Sequence, residues 1–156
     1  MPDPVYIICS ASGSEDKATG LLSLFNIVEK VRVTQLEMGT AASLPSKSRT
    51  LPIRVTAVWM RRPEDTDEQV YDFQVAFLLP NDPKEHVVGE GQVSFGRNEC
   101  FRVFADGDIH SFGESGVYRA ICRVKPTGSD KWQSQSYPII VDVVKVSAPT
   151  PLATTG

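Results

Sequence analysis

Hydrophobic and polar residues alternate along much of this chain with a period of two. From 51 to 60, Ile53, Val55, Ala57 and Trp59 fall on one side, with Arg54 and Thr56 on the other. From 71 to 79, Tyr71, Phe73, Val75, Phe77 and Leu79 share a side opposite Asp72 and Gln74. Successive side chains of a strand point to opposite faces, so this is the pattern of strands with one buried face. Residues 117–125 repeat it. Tyr118, Ala120, Cys122 and Val124 form an uncharged face; Val117, Arg119, Ile121 and Arg123 form a mixed apolar and basic one.

Shorter apolar runs complete the set. Strands are predicted over 5–9, 21–28, 30–35, 87–95, 100–104 and 137–146. Polar loops are expected at 10–20 and 38–48, an acidic loop at PEDTDEQ, and turns at 80–83, 96–98, 105–108 and 126–130. Nine strands at this spacing, with only weak helical hints near 36–44 and 113–115, predict an all-β fold. The expectation is a single antiparallel β-sandwich of seven to nine strands, Greek-key or immunoglobulin-like, with a closed barrel as runner-up. The domain is expected over 1–146. Residues 147–156, SAPTPLATTG after Val146, read as a flexible C-terminal tail.

Bulk composition narrows the class. At 156 residues the chain is of single-domain size, and it buries about 70% of its unfolded surface without needing disulfides or a metal. A net charge of −3 gives no basic excess, which argues against a nucleic-acid binder. The start MPDPVYIICSAS lacks a basic region and a long apolar run, and no stretch approaches the ~18 apolar residues of a membrane span. A cytoplasmic protein with no membrane partner is the expectation. Three widely spaced cysteines, Cys9, Cys100 and Cys122, fit buried reduced thiols better than a disulfide framework.

The segment GESGVYRAICRV places Tyr118 just after a glycine-bounded turn and Cys122 four residues on. That resembles the tyrosine corner of Greek-key sandwiches, in which a tyrosine hydroxyl returns to nearby backbone. The immunoglobulin spacing differs: its tyrosine precedes cysteine by two, and Cys9 here lies in the first strand, so no inter-sheet disulfide is implied. Over most of the chain, VYIIC, TGLLSLFNIVEKVRV, GVYRAICRV and YPIIVDVV in that order resemble a family of small bacterial β-sandwich proteins known only as a domain of unknown function. The resemblance implies one sandwich domain and brings no activity or site residues with it.

Catalytic chemistry finds little footing. His86 and His110 lack zinc-ligand spacing, and there is no Walker A, no H-E-x-x-H and no G-x-S-x-G. GEGQVSFG superficially suggests a dinucleotide fingerprint, but its third glycine is misplaced. Gly89 and Gly91 read better as a bulge or close strand crossing. Two acidic groups, Glu64–Asp65–Asp67–Glu68 and Asp106–Asp108 with Glu114, could in principle hold calcium; loop solvation and turn formation are the favoured readings. Arg61 and Arg62 are expected to pair with the acidic loop. No cofactor and no metal are expected, and the chain reads as non-enzymatic.

The remaining candidates are contact residues. Val117, Arg119, Ile121 and Arg123 combine arginine with aliphatic groups, the mixture found at interfaces. Trp132, in KWQSQSY, is either a partly buried cap on the core or an exposed platform for a sugar or a partner. The favoured function is a protein-interaction or scaffold module acting through a sandwich face or an edge strand, on another protein or by self-association. The alternative is a small-ligand or carbohydrate-binding sandwich.

Overall fold

The computed structural model describes residues 1–15, 22–37, 51–109 and 114–147. They form nine strands: β1 (Asp3–Glu15), β2 (Leu22–Ile27), β3 (Lys30–Glu37), β4 (Leu51–Met60), β5 (Val70–Leu79), β6 (Asp82–Ser94), β7 (Cys100–Ile109), β8 (Gly116–Pro126) and β9 (Gln133–Ser147). Sheet A has the order β2-β1-β4-β7 and sheet B the order β3-β9-β8-β5-β6. All pairings are antiparallel except β3 with β9. No helix occurs among the described residues, so none there is long and apolar enough to cross a membrane.

The alternating pattern explains the core. Ile53, Val55, Ala57 and Trp59 of β4 meet Tyr71, Val75 and Phe77 of β5 and Tyr118, Ala120, Cys122 and Val124 of β8, all buried. At one end Tyr71, Phe95 and Phe101 pack ring on ring, the last two with centroids 4.6 Å apart. Phe73, expected in the core, is only half-buried and packs at its margin. Its ring lies over Gly91, where a Cβ would come within 3.0 Å of it. Gly89 likewise lets β6 approach Ala105 of β7, and a bulge stands beside it in the β5–β6 register. Both glycines serve close strand approach, as the sequence suggested.

Several segments depart from expectation: β6 begins at Asp82, inside the predicted 80–83 turn, and β9 begins at Gln133 and takes in Ser147, the first residue of the expected tail. Ala105–Asp108 is strand rather than turn. Asp106 faces Arg54 across the β4–β7 ladder and bonds it, and Gly107 stays extended against Val88 and Phe77, so the Asp-Gly pair is used for pairing. Ser10–Glu15, read as loop, continues β1 and pairs with β2. Beyond Ser147 the expected tail lies outside the described residues, as does His110.

β2 and β3 form nearly one strand that changes sheets. At the switch, Val28 N–H donates to Cys9 on sheet A (2.8 Å), while Glu29 accepts from Ile140 N–H on sheet B (2.9 Å). Asn26, at φ 54°, takes the left-handed conformation that asparagine tolerates better than most residues.

Candidate interaction face

The two sheets present very different outer faces. On sheet A, β1 pairs with β4 only as far as Ser10 opposite Arg54. Continued straight, Glu15 would stand roughly 30 Å along the strand direction from the level of Arg102, at ~3.3 Å per residue. Instead Glu15 accepts a bond from Arg102 at 2.5 Å, and Arg54 donates to the Gly13 carbonyl at 2.7 Å. The β1–β2 hairpin therefore folds back over sheet A. Beneath it Ser10, Thr56 and Val58 are buried although they point away from the core. Thr56 thus lies under a roof, where the sequence suggested a solvent face. The Ser10 and Thr56 hydroxyls find no hydrogen-bond partner among the described residues.

A cleft of about 220 Å³ opens beside this roof, lined by Ala11, Pro52, Ile53, Arg54, Asp106 and Gly107. Its charged groups satisfy each other: Arg54 Nε and Nη2 reach the two Asp106 oxygens at 2.7 and 2.8 Å. That fork holds the Asp106 carboxyl below the usual carboxylate range. No free titratable group is left among these lining residues for chemistry.

The acidic loop is also internally committed. Asp65 is buried. It accepts from the Tyr71 hydroxyl (2.7 Å), from Arg62 N–H (2.9 Å) and from the Met1 amine (3.3 Å). Burial works to raise its pKa, but these donors outweigh it and hold the carboxyl below its ordinary value. Loop solvation, the sequence reading for this group, does not describe Asp65; it organises the turn from within. Arg61 pairs with Asp67 at 2.5 Å, whereas Arg62 turns mainly to Asp3 at the chain start.

Sheet B has no roof among the described residues. Val117, Arg119, Ile121 and Arg123 all lie on its outer face, along the central strand β8, because Tyr118, Ala120, Cys122 and Val124 take the inner one. Val117 is 45% exposed; Ile140 opposite it on β9 is 50% exposed, and Val87 on β6 is 47% exposed. Arg119 stands among Val117 and Ile121 along the strand and Pro138 and Leu78 across it. It makes no ion pair or hydrogen bond among the described residues. Six other described arginines each pair with a carboxylate.

Arg123 differs from its neighbour. Its guanidinium bonds Gln74 Oε1 and pairs with Glu85 at 2.8 Å. It also stacks on Trp132, 5.3 Å from the ring centroid, where Lys125 Nζ approaches to 4.9 Å. Trp132 is carried to this edge by a type II turn, with Ser129 N–H bonded to the Pro126 carbonyl and Gly128 at φ 85°. The indole is 37% exposed and lies outside the group of side chains packed on the core. Two cations cover it, and it clamps one end of the face.

The sequence sets Val117, Arg119, Ile121 and Arg123 together on one face of β8, as the structure does; their neighbours Val87, Glu85 and Glu90 on β6 and Ile140 and Pro138 on β9 were not among its candidates. The alternation in 137–146 carried a signal for Ile140. On β6 the bulge beside Gly89 shifts the register, so the facing positions are not readable by counting. The chain matches no protein-family model, and no curated protein matches it either.

Proposed function

We propose that this chain is a contact module, an immunoglobulin-like β-sandwich that binds protein through the outer face of sheet B and performs no catalysis. The observation that carries the reading is the contrast between the two faces. Sheet A is roofed by its own hairpin, while sheet B leaves Val117, Ile140 and Val87 exposed on the same face as Arg119, which has no carboxylate partner among the described residues. Exposed aliphatic groups set around an unpaired guanidinium suit a partner that excludes water and supplies an acceptor. The immunoglobulin-like kinship is supported by the β4–β7 and β5–β8 pairings, by the parallel β3–β9 pair, and by Tyr118, whose hydroxyl donates to the Glu114 carbonyl at 3.3 Å. The inserted β1, between β2 and β4, is a departure from that pattern.

The experiment is purification of the untagged chain from its own host, beside Arg119→Glu combined with Ile121→Glu. The reading expects a stoichiometric protein companion, or self-association, that the double variant loses while its circular dichroism is unchanged. A folded double variant that retains every companion overturns it.

A further inference from the structure

The outer face of sheet B is self-complementary about β5. Strand β5 lies between β8 and β6, and the register sets three rows across them: Arg119–Leu78–Glu85, Ile121–Ala76–Val87 and Arg123–Gln74–Glu90. Along β8 the outward residues run basic, apolar, basic. Along β6 they run acidic, apolar, acidic, in the same order and at the same levels. We infer that this face binds a second copy of the same chain through a two-fold axis lying along β5. This deepens, and rests on, the reading of sheet B as a contact face.

The geometry follows from the rows. When two sheets stack face to face, a two-fold axis in the interface and parallel to β5 carries β8 of one copy over β6 of the other. Adjacent strands are about 4.8 Å apart and stacked sheets about 10 Å apart, a gap that an arginine and a glutamate close together. The rotation sets Arg119 against Glu85 of the second copy, Ile121 against Val87, and Arg123 against Glu90; Leu78 meets itself on the axis, while Ala76, 2% exposed, is already covered within each copy. Every contact off the axis occurs twice, as an isologous interface requires. The twist of aligned sheets, about −30° between the mean strand directions, displaces the strands little across so narrow a strip.

The monomer leaves this pattern half satisfied. Arg119 and Glu90 are exposed and have no ionic or hydrogen-bonding partner among the described residues, and Val87 stands 47% exposed between two acidic neighbours. Of these charges, only the diagonal Arg123–Glu85 pair forms within one chain among the described residues. In the pair of copies Glu85 keeps Arg123 and gains the other copy's Arg119, Glu90 gains the other copy's Arg123, and Val87 is covered by Ile121. The Trp132 clamp holds Arg123 in place at the rim, so less side-chain freedom is lost when the face is covered.

Sedimentation velocity on the purified full chain, from low micromolar to near-millimolar concentration, is the test. The expected result is a reversible monomer–dimer equilibrium. Arg119→Glu and Glu85→Arg should each weaken it by at least about tenfold, because like charges then meet twice. Mixing the two variants should restore dimer as a heterodimer. One of its two contacts is then the native Arg119–Glu85 pair, and the other is the same pair with its charges exchanged. Val87→Glu, at an exposed position that does not support the core, should also abolish association while melting like the parent. A wild-type chain that stays monomeric throughout overturns the self-pairing but leaves binding of another protein to be read from the host purification. A dimer that survives Arg119→Glu and Val87→Glu, in folded protein, overturns both the self-pairing and the assignment of this face.

Discussion

The Tyr71 hydroxyl donates to the Asp65 carboxylate across 2.7 Å, with both side chains shut away from solvent. The bond ties the turn after β4 to the first inward side chain of β5, beside the Phe95–Phe101 stack. Removing one partner of a buried bond strands the other. Asp65→Ala should therefore cost about 1–3 kcal/mol, read from denaturant midpoints at unchanged slope. Tyr71→Phe, which removes the hydroxyl and keeps the ring, should cost less.

The same carboxylate shapes the acid limb of stability. Asp65 is held below its ordinary pKa in the fold, as are Asp3, Asp72, Asp82 and Asp106 through bonds from Arg62, from Gln92 and Thr127, from Lys84 N–H and His86, and from Arg54. A depressed folded pKa means the unfolded chain takes up protons first as pH falls. The contribution is full above the unfolded carboxylate value, about 4, and is lost as pH drops through the folded one. Melting temperature should hold level near neutrality and fall below about pH 4. Asp65→Asn should shallow that fall; an acid limb identical to the parent's would show that Asp65 takes no part in it.

Glycine at 116 should prove far less replaceable than glycine at 91. Gly116 has φ 155°, and a Cβ there would meet the Pro80 ring at 2.7 Å, with no flexible group to yield. Gly91 faces the Phe73 ring at 3.0 Å, but the contact is with the far edge of a ring that is only half-buried. Gly116→Ala should destabilise by about 1–3 kcal/mol and Gly91→Ala by under about 1 kcal/mol. Equal costs at the two sites would refute the steric argument.

The nine strands and the inner faces of β4 and β8 were legible because a two-residue period records burial directly, as Ile53–Trp59 and Tyr118–Val124 show. Two features were not legible. Asp106-Gly107 carries turn chemistry, and only the pairing of Asp106 with Arg54, far away in sequence, makes it strand. Asp65 looks like any loop carboxylate until Tyr71 is seen to close over it. The outer face of sheet B was half legible: β8 shows its mixed row locally, but Glu85 and Val87 join it only through a register set by a bulge.

Thiol chemistry should separate the cysteines into two classes. Cys9 and Cys122 are fully buried on the inner faces of opposite sheets, and burial pushes both thiols up to about 12. The thiolate is the reactive species, so neither should react in the native state at neutral pH. Cys100, half-exposed at the start of β7, should react within minutes. Mass analysis after a brief pulse of alkylating reagent should show one adduct on native protein and three after denaturation. Three adducts on native protein would mean the core opens readily.

The roof over sheet A should be separable from the core beneath it. Arg54 holds the hairpin at Gly13 and Arg102 holds it at Glu15, while the hairpin's sheet-facing leucines, Leu22 and Leu24, are only half-buried. Such a roof has few buried contacts of its own, so it should open at lower free energy than the core strands. Arg102→Ala removes one partly exposed ion pair and should lower global stability by no more than about 1 kcal/mol. Its local effect should be larger: amide exchange in β2 and in the 11–15 part of β1 should quicken, while β4, β5 and β8 keep the parent's protection. Arg54→Ala should do more, because it also strips Asp106 of both guanidinium bonds and loosens β7 at the edge of the sheet. If Arg102→Ala speeds exchange evenly through all strands, the hairpin belongs to the cooperative core. If it leaves exchange in β2 unchanged, the Glu15 contact does not hold the roof, and the Arg54–Gly13 bond becomes the anchor.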